Sequence, residues 1–434
     1  MTWKQMEYTG WGRYFRAEGE IARPERAATL EHLSAQSPCP AIGQRRSYGD
    51  ASLNSGGRAI STARLDRFLG FDRETGILEV ESGCMLGDIV THFGPRGWLP
   101  TVLPGTGFAT VGGAIGMDVH GKNHHHQGSF GQHVRDMTLA LPDGIHTIAP
   151  DDPLFAATIG GMGQTGPIAS ARIQLTPTKG ALAMVTERRM PDLDSYFDAL
   201  DASEATYTVG WIDATARGDA LGRGILEEGE TGAGLVPPAK RGKRIPMDAP
   251  HFALSGPIVR SFNAAYYRRI PERGRTVVKA LEDFFFPLDK IHDWNRLYGK
   301  RGFHQFQCVV PLDEREVLRG MLEKVSASGL ASPLAVLKRM GPAEGGMMSF
   351  PAEGYTLAID FPAREQAPDM IRSLIDMTAE VDGRVYLAKD SFASPEHMDA
   401  MYPERIAWAE IVNELDPDQN YATDLVRRLD LRNL

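Results

Sequence analysis

Along the first 180 residues, short apolar runs alternate with glycine, aspartate and proline. The runs at 77–80, 102–103, 137–141 and 168–175 predict short strands joined by turns. Leu141-Pro142-Asp143-Gly144 is a turn signal, so 137–141 and 145–148 are expected to pair as a hairpin. Helical signals are fewer here; 86–93 is one. The mixture predicts an α+β unit that ends near Pro177-Thr178-Lys179-Gly180. Beyond it, helix and strand patterns alternate. Residues 192–202 place Leu193, Phe197 and Leu200 on one helical face, and 314–328 and 368–381 also predict helices. Residues 303–310 and 355–361 predict buried strands. The segment 218–244, rich in Gly, Arg, Lys and Glu, predicts a mobile surface loop. The last stretch, 403–434, reads as helical with a break at Pro417.

With 434 residues, 42% hydrophobic and 24% charged, the chain has ample material for a core and room for one to three domains. A net charge of −9 argues against a general nucleic-acid binder. Three scattered cysteines (Cys39, Cys84, Cys308) make neither a disulfide framework nor a cysteine zinc site, and favour a reducing compartment. The N-terminus lacks the apolar core of a signal peptide, and no run reaches the roughly 20 apolar residues of a membrane span. A cytoplasmic or peripheral membrane location is expected.

Candidate chemistry concentrates at 104–123, where six of twenty residues are glycine and the end is His120-Gly121-Lys122-Asn123. Glycine allows close backbone approach, and successive free N–H groups bind anions. The loop matches neither the G-x-G-x-x-G fingerprint nor a P-loop. Gly43-Gln44-Arg45-Arg46-Ser47-Tyr48-Gly49-Asp50 reads either as a second phosphate cradle or as a surface turn. Five histidines lie at 120, 124, 125, 126 and 133, but adjacent side chains diverge and no acidic partner has zincin spacing, so no metal is expected. In 303–310, strand alternation puts Gln305 and Gln307 together, lining a polar pocket or a half-solvated sheet surface. Lys338 and Lys389 each follow an apolar stretch, and each is either a buried, activated amine or an exposed one.

Ser47-Tyr48-Gly49-Asp50, the 104–123 loop and Gly128-Ser129-Phe130-Gly131 resemble the PCMH-type FAD-binding domain of the vanillyl-alcohol-oxidase superfamily. Within it the chain is similar to the decaprenylphosphoryl-β-D-ribose 2′-oxidase family. That likeness extends through Trp211-Ile212-Asp213-Ala214, the Gln305/Gln307 strand, Tyr386 to Ser391 and Ala400-Met401-Tyr402-Pro403. The resemblance implies an α+β fold: a two-subdomain FAD-binding domain over 1–178, a substrate domain over 179–400, and a helical segment over 401–434 packing back on the first. FAD would be held by Gly43, Arg46, Ser47, Tyr48, Gly49 and Asp50 in the first loop. Gly105, Thr110, Val111, Gly112, Gly113, Met117, Asp118 and His120 would hold it in the second, with Ile168 and Tyr386 beyond. Substrate would meet Trp211, Gln305, Gln307, Lys338, Thr356, Ala358 and Lys389, and catalysis would draw on His120, Lys389, Lys122 and Tyr48.

The implied reaction oxidises the 2′-hydroxyl of a polyprenylphosphoryl ribose, with His120 or Lys389 as base. An NAD(P)H-dependent short-chain reductase would complete an epimerisation to the arabinose donor for cell-wall arabinan. Four positions depart from the family. Arg46 stands where a histidine often bonds to flavin, which implies noncovalent FAD. Arg45 replaces a loop glycine. Thr356 and Ala358 replace an asparagine and an inhibitor-reactive cysteine of mycobacterial relatives. A soluble sugar-lactone or alditol oxidase of the same superfamily is the alternative. From other classes come a noncatalytic flavin- or lipid-phosphate-binding protein and a metallohydrolase. A basic flap including Lys240, Arg241, Lys243 and Arg244 is weighed against a plain solvated loop.

Overall fold

The computed structural model describes residues 3–236, 242–330, 333–342 and 344–434. The first sheet runs in the order Lys4–Thr9, Arg16–Ala22, Arg58–Ser61, Ala41–Ile42. Its later pairings are parallel, and helix Ala27–Gln36 lies in the connection they require. That helix buries only Leu30, Leu33 and Ser34, which is why its hydrophobic pattern is weak.

The second sheet orders Phe68–Phe71, Ile77–Glu81, Ile168–Pro177, Val134–Leu141 and Gly144–Ile148. The expected hairpin is present, with Leu141 opposite Gly144, whose φ of 135° favours glycine. Leu86, Ile89, Val90 and Phe93 recur at helical spacing and bury helix Leu86–Phe93 beneath this sheet. The strand expected at 102–103 lies instead at Trp98–Pro100, pairing with Ile168–Pro177. Val102 and Leu103 are buried in irregular chain that leads into the glycine loop.

The third sheet has eight antiparallel strands: Arg275–Ala280, Leu182–Met190, Gly224–Gly232, Tyr207–Ile212, Ala335–Met340, Gly354–Pro362, Phe303–Val310 and Arg384–Val385. This corrects the reading of 218–244 as a surface loop, because Gly224–Gly232 is an interior strand. Its glutamates, which look solvated in sequence, are matched inside the sheet. Arg188 donates to Glu228 at 2.7 Å, Thr206 Oγ1 to Glu230 at 2.7 Å and Lys279 to Glu227 at 3.1 Å. Within the same segment Lys240 and Arg241 lie outside the described residues. Lys243–Arg244 forms a short exposed strand against Ile291–His292.

Helices Leu193–Asp201, Arg315–Ser328 and Ala367–Ala379 cover one face of the third sheet, burying Phe197, Leu226, Leu337, Leu357, Phe306 and Cys308. Phe303–Val310 is buried along its whole length, so the half-solvated alternative does not hold. The C-terminal helices Arg405–Leu415 and Asp424–Arg428 return to the N-terminal half: Trp408 donates to the Ala157 carbonyl at 3.0 Å, and Arg428 reaches Asp50 at 2.7 Å.

Candidate active site

Between the first two sheets and the uncovered face of the third lies a cavity of about 640 Å³. Two loops from the N-terminal half make one wall. Gly43 rests on Thr110; a Cβ at Gly43 would stand 2.4 Å from the threonine hydroxyl, so the loops meet only with glycine there. The N–H groups of Gln44, Arg45, Arg46 and Ser47 find no acceptor among the described residues. Arg46 Nε is buried without a partner among the described residues, and its guanidinium lies between the rings of Trp11 (4.2 Å) and Phe108 (4.4 Å). Burial lowers its pKa, with Asp289 opposing. Gly105 borders open space. An extended cavity ending in unpaired N–H donors suits a diphosphate-linked dinucleotide.

The facing wall follows from strand register. Ile225, Trp211, Val336, Ala358 and Gln307 lie side by side across five strands. The next row on the same face is Glu227, Val209, Lys338, Thr356 and Val309, and Gln305 lies in the row on the other side of Gln307. Except for Thr356 and Val309, these side chains border the cavity. Gln305 is held by Asp360: its amide nitrogen donates at 2.5 Å, and Tyr298 hydroxyl donates to the other carboxylate oxygen at 2.9 Å. Asp360 is fully buried, and burial pushes its pKa up to about 7.

At the meeting of the walls, His120 Nε2 is 2.8 Å from the Gln307 amide and Nδ1 is 3.0 Å from Lys338 Nζ. Burial, then the Lys338 charge, drives the His120 pKa well below its ordinary value, so the ring is neutral. A neutral imidazole has one donor and one acceptor. The Gln307 amide nitrogen is placed 2.8 Å from Nε2 and donates to the Thr356 hydroxyl at 3.2 Å; with Lys338 donating to Nδ1, Nε2 carries the proton, and turning the amide so that its oxygen takes the place of that nitrogen lets it accept from both. Both His120 nitrogens are thereby committed.

The three lysines differ. Lys122 donates to the Phe284 carbonyl and sits 4.0 Å from that ring. Lys338 is engaged with His120. Lys389 Nζ stands 3.6 Å from the Tyr48 ring centroid and has no hydrogen-bond acceptor among the described residues. Burial lowers Lys389 and Lys338 to about 7 and Lys122 to about 8. Their ammonium groups open onto the cavity rather than bulk solvent.

Of the residues expected to hold FAD, Gly43, Arg46, Ser47, Tyr48, Gly105 and Thr110 border the cavity. So do Gly112, Gly113, Met117, His120, Ile168 and Tyr386. Trp211, Gln305, Gln307, Lys338, Ala358, Lys389 and Lys122 border the same cavity. Five expected residues stand behind the wall. Val111 is in the apolar core. Asp118 is fully buried, accepting from Gly131 N–H and from the Ser129 and Ser349 hydroxyls, and so pins three loops. Asp50 is bonded twice by Arg428, which also reaches Asp390 at 2.9 Å. Gly49 abuts the Asp390 carbonyl; a Cβ there would be 1.8 Å from it. Thr356 backs Gln307. Asp360, Trp11 and Phe108 were not expected; a lone aspartate in the apolar run Leu357-Ala358-Ile359-Asp360-Phe361 is the signal that marks the first.

His124 accepts from Gly341 N–H, while His125 and His133 contact the Ala205 and Gln127 carbonyls. The histidine run is thus dispersed, and the described residues hold no group of three or more ligating side chains suited to a metal ion.

Comparison with known proteins places this geometry. Residues 26–149 match the FAD binding domain family. Over 97% of both chains the sequence is 36% identical to decaprenylphosphoryl-beta-D-ribose oxidase of Mycolicibacterium smegmatis. It is 33% identical to an uncharacterized Streptomyces coelicolor protein, over 78% of this chain and 97% of that one. It is 20% identical, over 97% of this chain and 98% of the relative, to L-gulono-1,4-lactone dehydrogenase of Mycobacterium tuberculosis. The α+β chain binds FAD through its N-terminal half, and it belongs to the decaprenylphosphoryl-β-D-ribose oxidase family of FAD-binding oxidoreductases.

Proposed function

We propose that this chain oxidises the 2′-hydroxyl of a polyprenylphosphoryl-β-D-ribose to the 2′-ketone, using noncovalent FAD. The observation that carries the reading is an uncommitted amine facing a wall of amides: Lys389 Nζ lies over Tyr48 beside Gln305 and Gln307 in one cavity. Bound FAD supplies the acceptor for the hydride that leaves the carbinol carbon. Lys389, as a neutral amine, takes the hydroxyl proton. Asp360 orients Gln305 with its amide oxygen towards the sugar, and Gln307 and Tyr48 fix the ring. The Lys338 ammonium, held against His120, stabilises developing alkoxide charge, and Lys122 suits the phosphate.

Arg46, clamped between two rings in the first loop, has no nucleophile to offer flavin. Flavin should therefore leave with the supernatant on acid precipitation; colour in the pellet refutes noncovalent binding. The division into 1–178, 179–400 and 401–434 is our reading of the domains. The keto product calls for an NAD(P)H-dependent short-chain reductase as partner.

Anaerobic mixing with a prenylphosphoryl ribose tests the function, because bleaching of the flavin band is expected. Bleaching by free alditols or lactones alone would favour the soluble-sugar oxidase instead. No bleaching by either class would leave a flavin-binding protein without this catalysis.

A further inference from the structure

Residues 242–301 carry 12 Lys and Arg against six Asp and Glu, +6 along the sequence in a chain of −9, with Arg269, Arg275 and Lys279 paired to Glu187 and Glu227 outside the segment. At the centre of this basic segment is helix Gly256–Arg268. It seats one face through Val259 and Asn263, both buried; Asn263 donates to Asp213 at 2.7 Å. Beside them Ile258 and Phe262 point outward, 44% and 50% exposed, and Phe252 just before the helix is 66% exposed. Arg268 and Arg273 are exposed at the C-terminal end of the helix, and Arg260 is exposed on another side of it. Large exposed apolar side chains on a helix that also carries exposed cations have the composition of a surface that sits at an anionic bilayer interface.

The patch is continuous with the cavity. Ile258, Phe262 and Tyr266 recur at i, i+4, i+8 and so share one helix face. Phe262 stacks on Tyr266 (centroids 5.8 Å apart, 20°), and Tyr266 packs on Trp211 (4.7 Å). Tyr266 and Trp211 border the cavity, whereas Phe262 and Ile258 lie outside it. An unbroken aromatic path therefore leads from the sugar-binding wall to the exposed helix face. We infer that helix Gly256–Arg268 docks the protein on an anionic membrane, with Ile258 and Phe262 in the acyl boundary, so that a prenyl chain passes along Tyr266 into the cavity. The role of the path rests on the prenylphosphoryl substrate proposed above; the docking surface itself does not.

The test uses the FAD-loaded full chain and sedimentation with vesicles of equal parts phosphatidylcholine and phosphatidylglycerol. Expected are binding to these vesicles, weak binding to phosphatidylcholine alone, and loss at high salt. The double variant Ile258→Ser, Phe262→Ser should lower partitioning about tenfold or more, from removal of two inserted apolar side chains. It should retain FAD and still be bleached by a short-chain, water-soluble prenylphosphoryl ribose. A second variant, Arg268→Glu with Arg273→Glu, should lose binding to the anionic vesicles while keeping its apolar face. Equal binding to neutral vesicles, unchanged partitioning of either variant, or a dimer that buries the face without vesicle binding would overturn the proposal. Vesicle binding without bleaching by any prenylphosphoryl sugar would leave the docking surface standing and remove the proposed reaction. Bleaching without vesicle binding would do the reverse.

Discussion

Replacing Lys389 by Met removes the cavity's one amine whose Nζ has no hydrogen-bond acceptor among the described residues. A positioned base contributes roughly 10²–10⁴-fold, and that loss is expected in the anaerobic flavin-reduction rate, with FAD retained. The pH dependence is more discriminating. Lys389 acts as the neutral amine and Lys338 as the ammonium, and burial brings both to about 7. The competent pair, one neutral and one charged, is then about a quarter of the population at pH 7 and about 1% at pH 5 or pH 9, a fall of about 25-fold on either side.

The acid limb belongs to Lys389, whose depressed pKa makes the amine available as pH rises through about 7. The alkaline limb belongs to Lys338, which loses its proton through the same range and with it the positive charge that would stabilise the developing alkoxide. Stopped-flow reduction between pH 5 and 9 should give a symmetric bell. Lys338→Met should remove the alkaline limb, and Lys389→Met the acid one. An acid limb that persists in Lys389→Met, or a rate within a few-fold of wild type, would refute the assignment of the base.

Arg428→Met leaves Asp50 and Asp390 buried without their cation, and breaking such a site costs about 3–5 kcal/mol; denaturant unfolding with a loss under 1 kcal/mol would contradict it. Gly49→Ala drives a Cβ into the Asp390 carbonyl and must separate the first loop from the Lys389 turn, so both FAD retention and reduction rate should fall; full flavin occupancy at wild-type rate would show that the loops part freely. Burial raises all three cysteine thiols to about 12, so a cavity-directed thiol reagent should leave the native protein unlabelled, whereas Ala358→Cys should gain one adduct by intact mass; labelling of the wild type would count against this.

Much of the N-terminal half was legible locally. Helix Leu86–Phe93 and the Leu141–Gly144 hairpin announce themselves because periodicity and turn residues act within a few positions. Strand Gly224–Gly232 did not, because Arg188, Thr206 and Lys279, which donate to its glutamates, come from 24 to 52 residues away. The glutamines of Phe303–Val310 were visible as a pair on one face, but whether that face met solvent or a cavity was not.

The sequence alone determined which chemical groups are present: two glycine-rich loops, an arginine where a flavin-linking histidine would stand, and candidate amines at Lys122, Lys338 and Lys389. Tertiary structure decided their roles. Sheet register brought Trp211, Val336, Ala358 and Gln307 into one row. Packing gave Lys122 to a carbonyl and Lys338 to a histidine, and left Lys389 facing the cavity. It also turned Asp50 and Asp118 from expected cofactor contacts into buried anchors. A side chain's partner depends on which distant groups are folded against it, and burial then sets its charge; neither is encoded in neighbouring residues.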